Sequence, residues 1–153
     1  MSSVSAQSLW AANALWAGPL IVARLRAEVP ALREVQMLDE LEPGANGGAA
    51  RPKQTPAAVV LLDRMRARAD ANHSKAVAVQ DWLVALAVRS ARTDADRNSA
   101  LIGALIPPVV KALQGWQPGG QPWALAWQPG MQPNYGRDLS YYPLVFSLQV
   151  VTA

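Results

Sequence analysis

The stretch VAVQDWLVALAVRS, residues 77–90, constrains the fold more than any other part of the chain. Side chains alternate between the two faces of a β-strand, so an apolar run of this length presents two rows of side chains. Both rows are largely apolar here, which predicts a central strand of a sheet that is covered on both faces. One row consists of Trp82, Val84, Leu86 and Val88, and the other of Leu83, Ala85 and Ala87.

The run AAVVLL, residues 57–62, predicts a neighbouring strand because it is short, rich in β-branched residues and preceded by proline. The stretch 63–75 that follows is compatible with two structures. If the strand continues and turns back as a hairpin, alternation places Arg64, Arg66 and Arg68 on one face. A helical turn is the alternative, since Ala and Arg tolerate it. The extended hairpin is favoured, because the segment after it is so clearly a strand.

One helix is expected before these strands in the sequence, and a second helix after them. Gly18-Pro19 opens the first, where proline suits the first turn, and Pro30 ends it. The second begins after Thr93, which with Asp96 forms a capping-box pattern. Pro107-Pro108 interrupts its apolar stripe, and an interior proline costs about 3 kcal/mol or more. We therefore expect a kink or a helix in two pieces that ends before Gly115.

The tetrapeptide Trp-Gln-Pro-Gly occurs twice, at 116–119 and at 127–130. Pro-Gly is a strong turn signal, and each copy follows an expected element: the second helix, and a strand over 122–127. This favours two turns that frame one strand, with Trp123, Leu125 and Trp127 on one face. The alternative is a stacking platform for sugars or bases, for which the segment offers only glutamines as polar partners.

These elements predict an α+β fold in which a mainly antiparallel sheet packs against two helices. Short strands over 33–38 and 144–152 complete the sheet. Residues 1–17 are expected to form an N-terminal arm around Trp10 that orders only against something else. Residues 18–153 form a single domain, with flexible loops at 42–56 and 63–76. The first loop, EPGANGGAARPKQTP, is too rich in Gly, Ala and Pro for regular structure.

The chain offers little to a catalytic site. It has no cysteine and one histidine, His73, which is expected to be a loop histidine in a polar turn. Asp39, Glu40 and Glu42 form an acidic cluster that is expected to be solvated. Nucleotide-binding and zinc-protease motifs are absent from the sequence, and no apolar run reaches the roughly 18 residues that cross a bilayer. We expect no enzyme activity, no cofactor, no metal and no membrane association.

The arginines at 64, 66 and 68 admit three roles. The first is a solvated face of the hairpin. The second is a surface for salt bridges between molecules, with Asp39, Glu40 and Glu42 of a neighbouring copy as partners. The third is contact with the phosphates of DNA, which at a net charge of +3 would matter only if a ring repeated the arginines. Together with Trp10, these seven residues are the candidate assembly residues of the chain.

The order and spacing of several segments resemble the tail terminator proteins of long-tailed bacteriophages, in particular the group typified by the Mu-like phages. The resemblance lies in IVARLRAEVPALREV (21–35), PAAVVLLDR (56–64), WLVALAVRSAR (82–92) and ALIPPVVKALQGWQP (104–118). With the last strand, these segments span most of residues 18–152. The Trp-rich N-terminal segment and Pro107-Pro108 depart from the pattern.

The resemblance implies a structural protein of the virion tail, made in the host cytoplasm and located at the neck. Members form a hexameric ring on the head-proximal end of the tail tube, which stops tube growth and provides a surface for head joining. The implied partners are other copies of the chain, the tail tube protein, a head–tail connector protein and, in a contractile tail, the sheath protein. DNA would be met only in the lumen. The alternatives are another head–tail connector or minor tail component, or a Trp-rich ligand-binding module.

Overall fold

A computed structural model describes residues 6–41, 51–67, 77–89, 95–130, 132–135 and 138–152. Its helices are α1 (Ala6–Ala12), α2 (Ala17–Glu28) and α3 (Ala95–Leu113). Its strands are β1 (Glu34–Met37), β2 (Ala57–Ala67), β3 (Val77–Arg89), β4 (Ala126–Gln128), β5 (Asn134–Tyr135) and β6 (Leu139–Val151). No described helix is long and apolar enough to span a membrane.

The strands form one mixed sheet in the order β1-β2-β3-β6-β4, and β5 pairs with β6. Only the β1–β2 pair is parallel, and all others are antiparallel. β3 is hydrogen-bonded to a long strand along each edge, β2 and β6, and β6 pairs with it from Val77↔Val151 to Arg89↔Leu139. The predicted α+β class and the central position of β3 are confirmed.

One face of the sheet carries the hydrophobic core, and we call it the helix face. α2 and α3 cover it, because each presents a stripe of apolar residues to the sheet. The face opposite is called the second face. The fully buried side chains of the helix face and the two helices include Trp82, Leu86, Leu144, Phe146 and Leu148 from the sheet, Ile21 and Leu25 from α2, and Val109 and Leu113 from α3.

β2 continues well past its apolar half, so the extended alternative for this segment is confirmed up to Ala67. The strand is irregular at Asp63: Leu62 pairs with Trp82, but Arg64 pairs with Asp81, the residue just before Trp82. One extra residue in a strand is a β-bulge, and it exchanges the faces of every residue after it. Arg64 and Arg66 therefore lie on the second face. Residues 68–76, with Arg68 and His73, lie outside the described residues.

α3 is one continuous helix across Pro107 and Pro108, so of the two expected outcomes, a kink or a division into two pieces, the division is wrong. The two prolines have no N–H to donate to the carbonyls of Gly103 and Ala104, four residues earlier. Both of those residues are exposed, so water can hydrate the freed carbonyls. The helix also has buried side chains both before and after the prolines, and this packing stabilises both halves. The predicted N-cap, Thr93, lies outside the described residues.

The first Trp-Gln-Pro-Gly forms a turn, as predicted, because Pro118–Gly120 is a short 3-10 turn with Gly119 at φ +68°. The strand after it is shorter than the predicted 122–127, since it covers only Ala126–Gln128. The reason is local hydrogen bonding: Leu125 exchanges backbone bonds with residues 115 and 116 at the end of α3, not with β6. Gly130, at φ +130°, ends the second copy.

The N-terminal segment contains α1, whose Leu9 and Trp10 are half-buried against the core. A methyl group built on Gly119 would lie 3.0 Å from the Leu9 side chain, so α1 and the 3-10 turn are in close contact. The following residues are tied to β3: buried Gln80 donates to the carbonyl of Ala14 (2.7 Å) and accepts from the indole of Trp82 (3.0 Å).

Candidate assembly surface

A buried carboxylate binds two arginines on the second face of the sheet. Asp81 is 3% exposed, and its Oδ2 accepts from Arg64 Nε at 2.7 Å and from Arg66 Nε at 3.3 Å. Its other oxygen, Oδ1, accepts from the Ser147 hydroxyl at 2.6 Å. The register explains the cluster, because the bulge pairs Arg64 with Asp81 and β6 pairs Ser147 with the same residue from the other side.

The protonation of this cluster follows from its contacts. Burial alone would raise the pKa of Asp81, but hydrogen bonds from Ser147, Arg64 and Arg66 outweigh it and hold the pKa below its ordinary value. The hydrogen bond to Asp81 raises the pKa of Arg64 in return. Asp81 and Arg64 are therefore both charged at neutral pH.

The arginines themselves reach into solvent. The side chains of Arg64 and Arg66 are 66% and 46% exposed, whereas that of Asp81 is 4% exposed. Each uses only its Nε for a hydrogen bond within the described residues, which leaves the terminal nitrogens of both guanidinium groups available. The carboxylate thus acts as an anchor beneath two exposed cationic groups.

The rest of the second face is apolar and covered at one end. Leu61 and Leu83 are half-buried beside the arginine pair. At the far end, the main chain of residues 51–53 crosses the face: the Lys53 N–H donates to the Glu34 carboxylate, and Arg51 forms an ion pair with Asp138 just before β6. The second face therefore has a covered end, an apolar middle and a charged open end.

The sequence-predicted acidic residues lie at the sheet edge beside β2. Asp39 and Glu40 are exposed on a 3-10 turn, Leu38–Glu40, that follows β1, and Leu38 is also exposed, at 45%. No ion pair joins Asp39 or Glu40 to Arg64 or Arg66 within the described residues. The structure thus brings Arg64 and Arg66 together and leaves the acidic turn separate.

Of the three remaining candidate assembly residues, the structure describes one. Trp10 is half-buried in α1, on a different part of the surface from the arginine pair. Arg68 and Glu42 lie outside the described residues.

Asp81 and Ser147 were not among the residues predicted from the sequence. A signal for Asp81 was present: a carboxylate within an otherwise apolar central strand must find a partner, because an isolated buried charge is very costly. The arginines at alternate positions of the neighbouring strand supply that partner. Ser147 carries no such signal, since serine is common at half-buried positions of strands.

The described residues contain no group of three or more His, Cys, Asp or Glu that could hold a metal ion. The arginine cluster has no nucleophile held by a general base, since Ser147 donates to a carboxylate whose pKa is lowered. Its chemistry suits recognition of an anionic group better than catalysis.

Comparisons with known proteins point to a tail protein. No curated protein matches the sequence significantly. Among solved structures, a chain from the virion of a native gene transfer agent particle is similar, with 18% sequence identity, a TM-score of 0.49, and coverage of 98% of this chain and 99% of that one. The family model for the phage tail terminator protein matches residues 11–153. The chain therefore belongs to the phage tail terminator family and is a structural component of the virion tail.

Proposed function

We propose that the protein forms a homohexameric ring on the head-proximal end of the tail tube, where it stops tube growth and provides the surface for head joining. The match of the family over residues 11–153 carries this proposal. The partners would be neighbouring copies, the tail tube protein, a head–tail connector protein and, if the tail contracts, the last ring of sheath protein. DNA would be met in the lumen as it passes.

The surface of the chain supports a role in assembly. The two sheet edges are different, β1 on one side and β4 with β5 on the other, and the second face is different from the helix-covered face. A ring needs such unlike surfaces, because each copy uses one surface against another surface of the next copy. The second face adds apolar side chains beside charged ones, the usual make-up of an interface between proteins.

The loops at 42–56 and 63–76 are proposed to supply contacts with neighbouring copies or with the tube. The second segment is not a loop at its start, because residues 63–67 belong to β2, pair with β3 from Arg64 onwards and carry the arginine pair. Segments that order on assembly lose conformational entropy at that moment and cover large interfaces in return.

Particles that lack a functional copy of this gene, complemented by plasmids, provide the test. Wild-type protein should give tails of uniform length joined to heads, and loss of the protein should give long, irregular tails without heads. An epitope tag on the chain should be found by electron microscopy at the end of the tail next to the head. Tails of normal length without the protein, or a tag located elsewhere in the particle, would instead favour another connector or minor tail component.

A further inference from the structure

We propose that Asp81 is a positioning residue that holds Arg64 and Arg66 as a paired receptor for carboxylates on a second copy of this chain. The inference rests on the proposed ring. Asp81 itself is buried and would not touch the neighbour. Its role would be to fix the two guanidinium groups in place before assembly.

The fixation has an energetic purpose. A free arginine side chain loses rotamer entropy when it is immobilised, and an interface that must order two of them is weakened accordingly. Here both Nε groups already bond to one carboxylate oxygen, and Ser147 holds the other oxygen. The terminal nitrogens can then bind a neighbour's carboxylate at a smaller entropic cost.

The charges around the pair favour a carboxylate over the phosphates of DNA. Among the residues that the structure describes around the pair, Arg64 and Arg66 carry two positive charges and Asp81 and the exposed Asp63 carry two negative ones, so these four charges sum to zero. Binding to a polyphosphate depends on net positive charge and release of counterions, which these four groups do not provide. Recognition of one carboxylate by a fixed guanidinium group depends on geometry and needs no net charge.

The turn Leu38–Glu40 has the complementary chemistry. It presents an exposed leucine followed by two exposed carboxylates, and neither Asp39 nor Glu40 has a partner in the described part of the chain. The arginine pair in turn lies beside the half-buried Leu61 and Leu83 on the second face. We therefore assign this turn of a second copy as the occupant. The contact joins two unlike surfaces, so it propagates in one direction around a ring.

Removal of the charges on each side tests the contact. The double variants Arg64→Gln/Arg66→Gln and Asp39→Asn/Glu40→Asn should each weaken self-association at least tenfold, because each removes one side of the same charged contact. Glutamine can still donate to Asp81, so no like charge is placed beside the buried carboxylate. The variant with all four changes should be no weaker than either double variant, because the second pair of changes finds the contact already lost. Matched controls are Glu28→Gln and Arg89→Gln, which neutralise exposed charges elsewhere and should leave association unchanged. Association is measured by analytical ultracentrifugation of full-length protein, alone and with isolated tail tubes, and circular dichroism checks the fold.

The positioning role needs a separate variant. Asp81→Asn keeps the shape and removes the charge that holds the arginines, so it should weaken association several-fold in a folded protein. Exchange at the Nε–H protons of Arg64 and Arg66, followed by NMR, should become faster in this variant, which a role in folding alone would not produce. Unchanged association of Asp81→Asn with faster exchange would overturn the positioning role.

The remaining outcomes are also decisive. If the losses of the two double variants simply add in the fourfold variant, or if wild-type protein does not self-associate even on tubes, this turn of a second copy is not the occupant. If the arginine variant keeps its rings but binds DNA less tightly, nucleic acid is the ligand and the proposal fails. Uniform, capped tails with the arginine variant would refute this contact alone, whereas uncontrolled tail length with wild-type protein would refute the proposed function.

Discussion

The buried carboxylate of the second face gives the most direct test of the structure. In Asp81→Asn, the Ser147 hydroxyl loses a charged acceptor, and hydrogen bonds to charged groups contribute about 1.5–3 kcal/mol. The two arginine bonds add less, because both guanidinium groups are largely exposed and water replaces the lost partner. The amide can still accept one of the bonds. We therefore expect the free energy of unfolding to fall by about 2 kcal/mol at pH 7.

The loss should be visible in two assays. Urea unfolding at pH 7 gives the free energy, and thermal unfolding should show a decrease in Tm of about 4–8 °C, since 1 kcal/mol corresponds to about 2–4 °C for a chain of this size. Asp63→Asn is the control. It removes an exposed carboxylate from the adjacent bulge and should change stability by less than about 0.5 kcal/mol.

The difference in unfolding free energy between wild type and Asp81→Asn should depend on pH in one direction only. The pKa of Asp81 is lowered in the folded protein, so the stabilisation is fully present above the unfolded value of about 3.9. It is lost as the pH falls through the lowered folded value, when the carboxyl binds a proton. The difference in stability between wild type and Asp81→Asn should therefore begin to shrink below about pH 4 and vanish only below the lowered pKa of the folded state. A variant as stable as wild type at pH 7, or a difference that persists in acid, would refute the reasoning.

Three further predictions, two of them with a control substitution, test the helices and turns by urea unfolding. Gly119→Ala and Gly115→Ala both place a side chain at positive φ, at a cost of about 1–2 kcal/mol, but only Gly119→Ala also meets α1, so it should lose more; equal losses would contradict the contact. Pro107→Ala restores an N–H to α3 and should stabilise the protein by about 1–2 kcal/mol, with a decrease in stability counting against the continuous helix. Arg24→Lys removes a hydrogen bond to a carbonyl at the end of α3 (3.0 Å) and a contact with a tryptophan ring (5.2 Å), so it should lose about 1 kcal/mol. Glu28→Gln, which breaks only an exposed ion pair, should lose less than about 0.5 kcal/mol.

The sequence predicted the parts of the fold that depend on local pattern. The long apolar run of β3 predicted a central strand, and Pro30 follows the end of α2, since proline cannot continue a helix. The expected cover on both faces of β3 is complete only on the helix face, because Leu83 and Ala85 on the second face are half-buried. The prediction failed where tertiary contacts override a local rule. Pro107 and Pro108 do not divide α3, because both halves of the helix pack on one core. β4 is short, because Leu125 bonds to the end of α3.

The candidate surface was predicted only in part. Alternation correctly placed Arg64 and Arg66 on one face, but it could not say which face, because the bulge at Asp63 depends on the pairing with β3. The partner within the chain, Asp81, lies 15 or more residues away along the sequence and meets the arginines only through the register of the sheet. An intermolecular partner leaves no trace in a single sequence, so the role of Asp39 and Glu40 remains a prediction.

The bulge at Asp63 decides which deletions this part of the sheet tolerates. Because Leu62 pairs with Trp82 and Arg64 with Asp81, removal of Asp63 alone would leave a regular strand with Arg64 still opposite Asp81. Removal of Asp63 and Arg64 together would bring Met65 to that place and turn Arg66 towards the tryptophan side of the sheet. Related chains that keep the arginine pair should therefore have one residue or none at the position of the bulge.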